Sequence, residues 1–592
     1  MKAAKFRWSL APSQPLLCDR LALELRISQL LARCLVNRGL SAAAMASEFL
    51  QPRLKHLSDP FLVPNMAVAV ERLFLARNRG ERLVIFGDYD VDGVTSTALL
   101  SEALRALGWK ADQYLPHRFD EGYGLSQDGA EHCLQKFPST LLLAVDCGST
   151  AVATIDSLRC RGVDVIVLDH HQVSDPAPPA AALVNPWFGI SPSGGSAETP
   201  APLESGIPKG PCFTELCSVG LAFKLVHALV KRGRQLGLPE AIQFDLRPFL
   251  DLVALGTIAD LVPLRGENRI LVTAGLERLN TTHRLGLRAL KTVAAINRAI
   301  GVYEVGFQLA PRLNAAGRLE TAAEALDLLM AVDPADAERL ARDLDARNRE
   351  RQAIERSIAE EVIGAVRAKF NPETDYVIVE GQLLWHIGVV GIVASRVLRE
   401  FYRPSIIIGG EGNEWRGSGR SIDGFDLADA LRGCGNLLVR HGGHAMAAGL
   451  SIRPENLEAL RDRLNELARR TLRPEQLQPV LRLDAEVSFK ELTVEALEEL
   501  HLLEPMGQGN PPVQFVARDV VLQRPPQRMG REQQHAKLWA SEGSVTHEVV
   551  CWNCDDGVLP TGRFDLAYAP QINEFNGRVS VQLKLLDWRP AA

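Results

Sequence analysis

The stretch Leu83-Val-Ile-Phe-Gly-Asp88-Tyr-Asp90-Val-Asp92-Gly-Val-Thr95 decides the fold, because an apolar run gives way to an acidic turn and then to a helical pattern. The apolar run is typical of a buried strand, and from Thr95 onward apolar residues recur at helical spacing. Asp88, Asp90 and Asp92 are therefore predicted to lie in a strand-to-helix turn. In an open α/β sheet this turn stands at the carboxyl edge of the strands, where ligands bind.

The three carboxylates of this turn predict a bound cation. They repel one another, so their pKa values must rise unless a cation neutralises them, and hard divalent ions such as Mg²⁺, Mn²⁺ and Ca²⁺ prefer oxygen ligands. The pattern also opens an EF-hand loop, but that loop needs a glutamate at its twelfth position, where this chain has Leu99. Two other interpretations stay open on this motif alone. One is a solvated acidic turn, and the other is the first motif of the haloacid-dehalogenase phosphatases, with Asp90 as nucleophile.

Length, composition and charge limit the class of protein. At 592 residues the chain is too long for one hydrophobic core, so three or four domains are expected. A hydrophobic content of 46% with 23% charged residues is ordinary for a globular protein. The net charge of −6 does not indicate a polyanion-binding protein, so a nucleic-acid partner would require locally concentrated positive charge.

Cysteine usage and hydropathy indicate the compartment. The ten cysteines are scattered, and the single CxxC pair, Cys551 and Cys554, lacks the further ligands of a zinc site. Reduced thiols are the expected state. The N-terminus shows no secretory signal, and no apolar run approaches the roughly 20 residues of a bilayer span. The sequence therefore predicts a cytoplasmic protein without a membrane segment.

Two further apolar runs end in polar residues of the metal-ligand type. Residues 141–145 are followed by Asp146, and residues 163–168 are followed by Asp169-His170-His171. A single acid or histidine after a strand is usually structural. Three such strand ends in one parallel sheet predict a convergent site at the carboxyl edge.

The segments around this sheet have simpler patterns. Residues 1–60 are predicted to be a helical lead-in, and Met66–Arg79 is an amphipathic helix that packs beside the first strand. Residues 190–212, rich in Pro, Gly and Ser, are predicted to be a loop or linker. Asp251 and Asp260 interrupt a later apolar segment, where isolated acids are costly unless they are paired or bound to metal.

The second half of the chain predicts another α/β domain. Residues 320–370 form a polar helical stretch that reads as a solvated connector. Apolar runs at 376–379 and 405–409 then alternate with two Gly-rich polar stretches at 416–421 and 440–444. Glycine beside Arg, Ser and His allows backbone N–H groups and cations to approach an anion closely, which suits phosphate.

The C-terminal region has the pattern of a small β-barrel. Short alternating strands are predicted at 480–487, 514–522, 536–540, 547–551, 564–568 and 578–586. Five residues could provide stacking and phosphate contacts for a single nucleic-acid strand, or could instead fill the barrel: Lys537, Trp539, Trp552, Phe575 and Arg578.

Taken together, these motifs resemble the bacterial single-strand-specific exonucleases of the DHH phosphoesterase superfamily. The resemblance runs nearly from end to end and excludes the haloacid-dehalogenase interpretation, which predicts neither a DHH motif nor a Gly-rich second lobe. The motifs that carry it are GDYDVDGVTST (87–97), DCG (146–148), DHH (169–171), DLVALGTIADLVPL (251–264), PRLNAAGR (311–318), GSGRS (417–421), GGHAMAAG (442–449) and EPMGQGN (504–510).

The resemblance implies two Mn²⁺ or Mg²⁺ ions. One ion would be held by Asp92, Asp146, His170 and Asp260, and the other by Asp88, Asp90 and the bridging Asp146. His171 would lie near the scissile phosphate. The residues implied to bind DNA phosphates are Arg312, Asn314, Arg318, Ser418, Arg420 and His444.

The resemblance also implies the architecture: two α/β lobes, DHH and DHHA1, joined by a long helix, with a C-terminal OB-like barrel. The expected division is a lead-in at 1–60, a DHH catalytic domain at 61–290, a helical connector at 291–370, a DHHA1 domain at 371–475 and an OB-like nucleic-acid-binding domain at 476–592.

The implied activity is metal-dependent 5′–3′ exonuclease cleavage of single-stranded DNA to mononucleotides in recombination and repair. Single-stranded-DNA-binding protein and a helicase would be partners. Two rivals are a DHH enzyme for nanoRNA or cyclic dinucleotides, which needs no barrel, and a catalytically dead scaffold, which would lack some of the acids.

Departures from the family pattern are few. Residues 190–212 are longer and richer in Pro and Gly than expected, and Ser218 and Met506 stand where Gly and Phe are more usual. Either Asp251 or Asp260 could be the fourth-motif ligand. We prefer Asp260, because the family pattern places the acid a few residues after the glycine of Gly256-Thr-Ile-Ala.

Overall fold

The computed structural model describes residues 5–117, 120–122, 124–189, 212–410, 412–554 and 559–591. Nearly all of the predicted loop at 190–212 lies outside the described residues. Among the helices of the described segments, none combines the length and apolar character needed to cross a bilayer. The ten cysteines, all within these segments, are free thiols.

The chain forms two compact units. The first unit contains Ser47–Arg349 and Leu503–Pro511, and the second contains Met1–Ala46, Glu350–Leu502 and Pro512–Ala592. The elements up to residue 329 are β1 (Arg7–Leu10), α1 (Pro15–Leu25), α2 (Gln29–Asn37), α3 (Ala43–Leu50), α4 (Met66–Arg79), β2 (Arg82–Gly87), α5 (Val91–Ala106), β3 (Lys110–Tyr114), α6 (Gln127–Lys136), β4 (Leu141–Val145), α7 (Val152–Cys160), β5 (Asp164–Leu168), β6 (Ala182–Val184), α8 (Ser218–Gln235), α9 (Pro239–Gln243), α10 (Leu250–Ala259), α11 (Gly266–Asn280), α12 (Leu285–Val293), α13 (Val302–Glu304), α14 (Ala310–Leu319) and α15 (Ala323–Leu329).

The polar helical stretch predicted at 320–370 contains a short helix, α15, and then one long helix, α16. The prediction of a solvated connector is wrong for one face of α16, because Leu340, Leu344, Val362 and Val366 are buried. The elements from this helix to the C-terminus are α16 (Pro334–Lys369), β7 (Ile378–Leu383), α17 (Val390–Phe401), β8 (Ser405–Gly410), β9 (Trp415–Arg420), α18 (Leu427–Arg432), β10 (Leu438–His444), β11 (Ala447–Ile452), α19 (Leu457–Thr471), β12 (Val480–Leu483), β13 (Ala485–Glu486), α20 (Val494–Leu500), β14 (Phe515–Met529), β15 (His535–Glu542), β16 (Val545–Cys551), β17 (Arg563–Phe575) and β18 (Arg578–Pro590).

The first unit is built on a parallel five-stranded sheet with the order β3-β2-β4-β5-β6. The chain leaves β2 toward β3 on one side and returns to β4 on the other, so the strand order reverses between β2 and β4. Ligands bind at the carboxyl ends of strands at such a switch point, because the two connections diverge there and leave a crevice. The acidic turn follows β2, and Asp146 follows β4.

Helices enclose this sheet, and its inner strands β2, β4 and β5 read as nearly continuous apolar runs because both of their faces are buried. All five residues of β4 are buried, and α4, α5, α8 and α10 supply much of the core on one face. The predicted amphipathic helix Met66–Arg79 is confirmed with the same bounds.

The segment Leu503–Pro511, which precedes the barrel, is held in the first unit. The fully buried Arg269 stacks on Phe49 at 3.8 Å and donates to the backbone carbonyls of residues 503, 504 and 505. The N–H of Leu264 donates to the carbonyl of Gln508 at 2.7 Å. This segment therefore packs beside the loop that follows Asp260.

The second unit contains a mixed sheet with the order β10-β11-β9-β8-β7 and a separate barrel. Strands β14, β15, β16, β18 and β17 pair in that order, and a further β14–β17 pairing closes them. The predicted architecture of two α/β lobes, a long helix and a C-terminal barrel is thus confirmed.

Two predictions about the ends of the second unit are wrong. The helical lead-in predicted for residues 1–60 includes Arg7–Leu10, but these residues form strand β1, which pairs in parallel with Val480–Leu483. Residues 480–483, predicted to be a barrel strand, therefore lie outside the barrel. The cause is tertiary pairing, because a four-residue strand has too little local pattern to predict it.

Candidate metal centre

The acidic turn is held by helix capping. Asp90 is the N-cap of α5, and its Oδ1 accepts the N–H groups of Asp92 at 2.9 Å and Gly93 at 3.1 Å. A Cβ at Gly93 would lie 2.4 Å from the backbone oxygen of Asp88, so the turn can close only around glycine. The capping bonds fix the three predicted acids within one turn of backbone.

The N-terminus of α8 orients the carboxylates of Asp92 and Asp146. The two carboxylate oxygens of Asp92 accept the N–H groups of Ser218 at 2.7 Å and Val219 at 2.9 Å, and the Ser218 hydroxyl donates to Asp146 Oδ1 at 2.9 Å. Asp146 has a φ of +63°, a conformation that few non-glycine residues adopt. The predictions did not include this role of Ser218.

His170 and Asp260 complete the centre from two other elements. His170 follows β5, and Asp260 caps the C-terminus of α10. His170 Nε2 lies 3.6 Å from Asp146 Oδ1, 3.6 Å from Asp260 Oδ2 and 3.9 Å from Asp92 Oδ2. Among the described residues, neither His170 Nε2 nor Asp260 Oδ2 has a hydrogen-bond partner. Buried lone pairs that face one another beyond hydrogen-bonding distance suit ligands of a shared ion.

The ligand atoms form three overlapping groups in the described part of the chain, each within 4.8 Å. The groups are Asp92, His170 and Asp260; Asp88, Asp90 and Asp146; and Asp146, His170 and His171. All six predicted metal ligands are therefore brought together. Asp146 is grouped with Asp88 and Asp90, and its Oδ1 also lies 3.6 Å from His170 Nε2, so the donor set fits two adjacent ions that share one carboxylate.

The electrostatics of the cluster favour a bound cation. Burial, followed by the charge of Asp90, raises the pKa of Asp92 to about 7. Burial and the neighbouring carboxylates hold the pKa values of Asp146 and Asp260 well above their ordinary range. A divalent ion reverses this effect, because it favours the ionised carboxylates. With five aspartates and one imidazole, the residues present fit Mn²⁺ or Mg²⁺.

The two histidines of the DHH motif have opposite electrostatics. Burial, and then the charge of His171, lower the pKa of His170 to about 4, which leaves its ring neutral and able to bind a metal. Burial opposes a charge on His171, but its 2.7 Å hydrogen bond to Asp169 raises its pKa to about 9. Burial likewise opposes a charge on Asp169, yet the bond from His171 holds the pKa of Asp169 below its ordinary range. The structure thus has a neutral ligand beside a protonated donor.

Asp251, the alternative fourth-motif ligand, lies in a different environment. Its carboxylate accepts a hydrogen bond from the Thr282 hydroxyl at 2.7 Å and pairs with Arg284 at 3.2 Å. Asp251 is buried and Arg284 is partly buried, so the negative charge of Asp251 is already compensated by a protein cation. Asp260, in contrast, lies beside His170.

Three predicted phosphate-binding residues lie on α14 in the same unit. Asn314 Oδ1 accepts the N–H of Val91 at 3.1 Å, which connects this helix to the acidic turn. Arg312 pairs with Asp345 at 2.9 Å, and Arg318 lies in the last turn of the helix.

The three predicted residues of the second unit share one face of its sheet. Arg420 on β9 pairs with Ala447, which pairs with His444 on β10, and Ser418 lies two residues before Arg420. The Arg420 guanidinium donates to the Ser418 hydroxyl at 3.0 Å, and no carboxylate in the described residues forms an ion pair with it. Burial lowers the pKa of this guanidinium, which stays charged.

The expectation that the two Gly-rich stretches present their backbone N–H groups to an anion is wrong for 416–420. These residues form β9, an interior strand whose backbone groups pair with β8 and β11. Glycine permits close packing on the other face, where a Cβ at Gly419 would lie 2.6 Å from a methyl group of Leu427. Side chains are therefore the groups that β9 presents to a ligand.

The five barrel residues do not fill the barrel. Its interior contains Phe515, Phe564 and Tyr568, which are fully buried. Trp552 and Phe575 are largely exposed, the ring of Trp539 is covered by Arg524, and Lys537 pairs with Glu548 at 3.0 Å.

Family models match three parts of the chain. The model described as "DHH family, N-terminal domain" matches residues 82–257, "DHHA1 domain" matches 374–470 and "RecJ OB domain" matches 483–587. Together with the clustered acids and histidines at the parallel strand ends, these matches define a phosphoesterase of the DHH class.

Whole-chain comparisons specify the family. The chain is 37% identical to the single-stranded-DNA-specific exonuclease RecJ of Bacillus subtilis over 99% of this chain and 71% of the relative. It is also 37% identical to that of Haemophilus influenzae, over 90% of this chain and 92% of the relative. The chain belongs to the RecJ family.

Solved structures agree with this assignment. The crystal structure of RecJ from Thermus thermophilus with Mn²⁺ matches with a TM-score of 0.81 at 31% identity, over 99% of this chain and 80% of that one. A structure of the same organism's RecJ with Mg²⁺ matches with a TM-score of 0.75 at 29% identity, over 99% of this chain and 79% of that one.

Proposed function

We propose that this protein is a metal-dependent exonuclease that hydrolyses single-stranded DNA to mononucleotides in the 5′–3′ direction, in recombination and repair. The convergence of five aspartates and His170 on one buried cluster carries the proposal. The polarity follows from the resemblance to the family.

We propose the predicted division of ligands. Asp92, Asp146, His170 and Asp260 hold one ion, and Asp88, Asp90 and Asp146 hold the other. When bound, the pair of divalent ions supplies Lewis acidity to the attacking and leaving oxygens. Asp90 also caps α5, so one side chain fixes the turn and contributes a ligand oxygen. The Ser218 hydroxyl holds the carboxylate of Asp146 in place by a hydrogen bond, and the N–H of Val219 does the same for Asp92.

The protonated ring of His171 is proposed to hydrogen-bond the scissile phosphate. Its Nδ1 is engaged by Asp169, so Nε2–H remains to donate, and its positive charge favours the negative charge that develops in the transition state. Arg312, Asn314, Arg318, Ser418, Arg420 and His444 are proposed to bind backbone phosphates, because charge-assisted hydrogen bonds to phosphate are strong and independent of sequence.

The remaining expectations are also proposals. The barrel binds single-stranded DNA, with exposed Trp552 and Phe575 available for stacking. Single-stranded-DNA-binding protein and a helicase are partners, and the protein acts in the cytoplasm. The division into domains at residues 60, 290, 370 and 475 remains the one predicted from the sequence.

The test compares four substrates with Mn²⁺ or Mg²⁺ and with a chelator: a 5′-labelled single strand, a 3′-labelled single strand, a blunt duplex and a dinucleotide. We expect metal-dependent release of a labelled mononucleotide first from the 5′-labelled strand, and little cleavage of the duplex. Preferred hydrolysis of the dinucleotide would indicate a small-substrate DHH enzyme. Labelled mononucleotide released first from the 3′ end would contradict the polarity.

A further inference from the structure

Two aromatic side chains in the first unit are exposed and stacked on each other. Tyr303 is 56% exposed and Phe307 is 70% exposed, and their ring centroids are 5.0 Å apart with an interplanar angle of 29°. Single exposed apolar residues are common, but two large rings that share one face form an apolar surface outside the core.

Tyr303 lies on α13, and Phe307 lies within the π-helical turn that follows it, Val305–Leu309. Its first and last residues are fully buried, so the turn is anchored by aliphatic side chains while both rings point outward. Because these aliphatic side chains attach the turn to the core, the two rings are not needed for that purpose. π-Turns are rare within helices and occur frequently at functional sites.

The position of the rings relative to the acidic turn suggests their ligand. The turn continues directly into α14, on which Asn314 accepts the N–H of Val91 beside the metal centre. Phe307 precedes Asn314 by seven residues, which is about 10 Å along a helix axis. This length corresponds to about three stacked nucleotides. The π-turn also packs against α10, the helix that ends at Asp260.

We propose that Tyr303 and Phe307 form a stacking platform for bases of the single-stranded substrate, a few nucleotides from the metal centre. The inference rests on the proposed function. Every base has a π-face, so an aromatic platform binds single strands with little sequence preference. Bases in a duplex are already stacked and paired, so the platform favours unpaired DNA.

The test uses Y303A/F307A, with the ring exchange Y303F/F307Y as a matched control that keeps both rings. V332A, at a highly exposed residue of the same unit, controls for lost apolar surface. Steady-state kinetics with Mn²⁺ are measured on a 5′-phosphorylated 20-mer and on a 5′-phosphorylated dinucleotide, which is too short to reach the platform.

We expect Y303A/F307A to raise KM for the 20-mer about tenfold, equivalent to about 1.4 kcal/mol, and to leave kcat and the dinucleotide kinetics within about twofold. Y303F/F307Y and V332A should behave as wild type. The platform would be overturned if Y303A/F307A left KM for the 20-mer unchanged, or if it weakened the kinetics on both substrates equally. It would also be overturned if Y303F/F307Y raised KM for the 20-mer as much as Y303A/F307A does.

A binding measurement separates this inference from the proposed function. Oligonucleotides that carry 2-aminopurine at successive positions from the 5′ end are bound to D146A, with and without Y303A/F307A, and their fluorescence is measured. We expect fluorescence quenching near the third nucleotide that disappears in Y303A/F307A, and uniform quenching in both proteins would overturn the platform. If wild-type protein cleaves none of the substrates, the proposed function itself is refuted.

Discussion

The two α/β sheets of this protein use different parts of their architecture for polar chemistry. In the first unit, five of the six candidate ligands follow the carboxyl ends of β2, β4 and β5, and Asp260 caps α10. In the mixed sheet, Ser418, Arg420 and His444 stand on the face of paired strands. Strand ends gather residues distant in sequence around a point, whereas a sheet face presents side chains in rows. The first geometry suits ions, and the second suits an extended phosphate backbone.

The largest effect is expected from D146A. Asp146 belongs to two ligand groups, so its loss should lower kcat by about a thousandfold or more, the upper range for a single electrostatic group. Binding of single-stranded DNA, measured by fluorescence anisotropy without turnover, should change less than about threefold, because the proposed phosphate contacts remain. If D146A lost affinity for single-stranded DNA as strongly as it lost kcat, the metal centre would itself be a main binding site. The separation between a catalytic parallel sheet and a phosphate-binding mixed sheet would then be wrong.

The acids of α10 provide an internal control for the metal centre. D260N removes a proposed ligand and should lower activity about a hundredfold or more, with little change in melting temperature. D251N removes one of the two carboxylates that pair with Arg284 and should cost about 1–3 kcal/mol of stability, because Glu102 still pairs with the guanidinium. Activity in D251N should survive at temperatures where the protein stays folded. If metal affinity, measured by calorimetry, falls only in D251N, the fourth-motif ligand has been assigned to the wrong residue.

A smaller effect is expected from the sheet face of the second unit. R420A removes a partly buried guanidinium that no carboxylate in the described residues pairs with, so KM for single-stranded DNA should rise about tenfold or more while kcat changes less. R420K should restore only part of the affinity, because lysine cannot bind phosphate in the bidentate manner. The exposed E458A, on another element of the unit, serves as a control. A fall in kcat with an unchanged KM would place Arg420 in the chemical step.

The side chains that form the acidic cluster could be predicted to converge, because each follows an apolar run or lies in a Gly-bounded turn and so carries a local signal. The bonds that orient them could not, because Ser218 lies 72 residues from Asp146 and nothing in its own neighbourhood indicates the contact. The same holds for β1, whose four residues gain their structure from pairing with Val480–Leu483. The Gly-rich stretch at 416–420 carries a signal that favours the wrong interpretation, since glycine there permits close packing rather than anion binding by the backbone.

The smallest effect concerns the stability of the metal-free protein. Because the pKa of Asp92 is raised from 3.8 to about 7, the metal-free folded state binds more protons than the unfolded chain between about pH 4 and 7. The contribution of this group to stability is therefore present below about pH 4 and is lost as the pH rises through about 7. Metal ions bind the ionised carboxylates, so Mn²⁺ should raise the melting temperature about 5 °C more at about pH 8 than at about pH 5.5.

The variant D146N provides the control. It relieves part of the repulsion between the carboxylates, so the melting temperature of the metal-free variant should depend less on pH than that of the wild type. Equal slopes for wild type and D146N in differential scanning fluorimetry would mean that the cluster does not control this dependence.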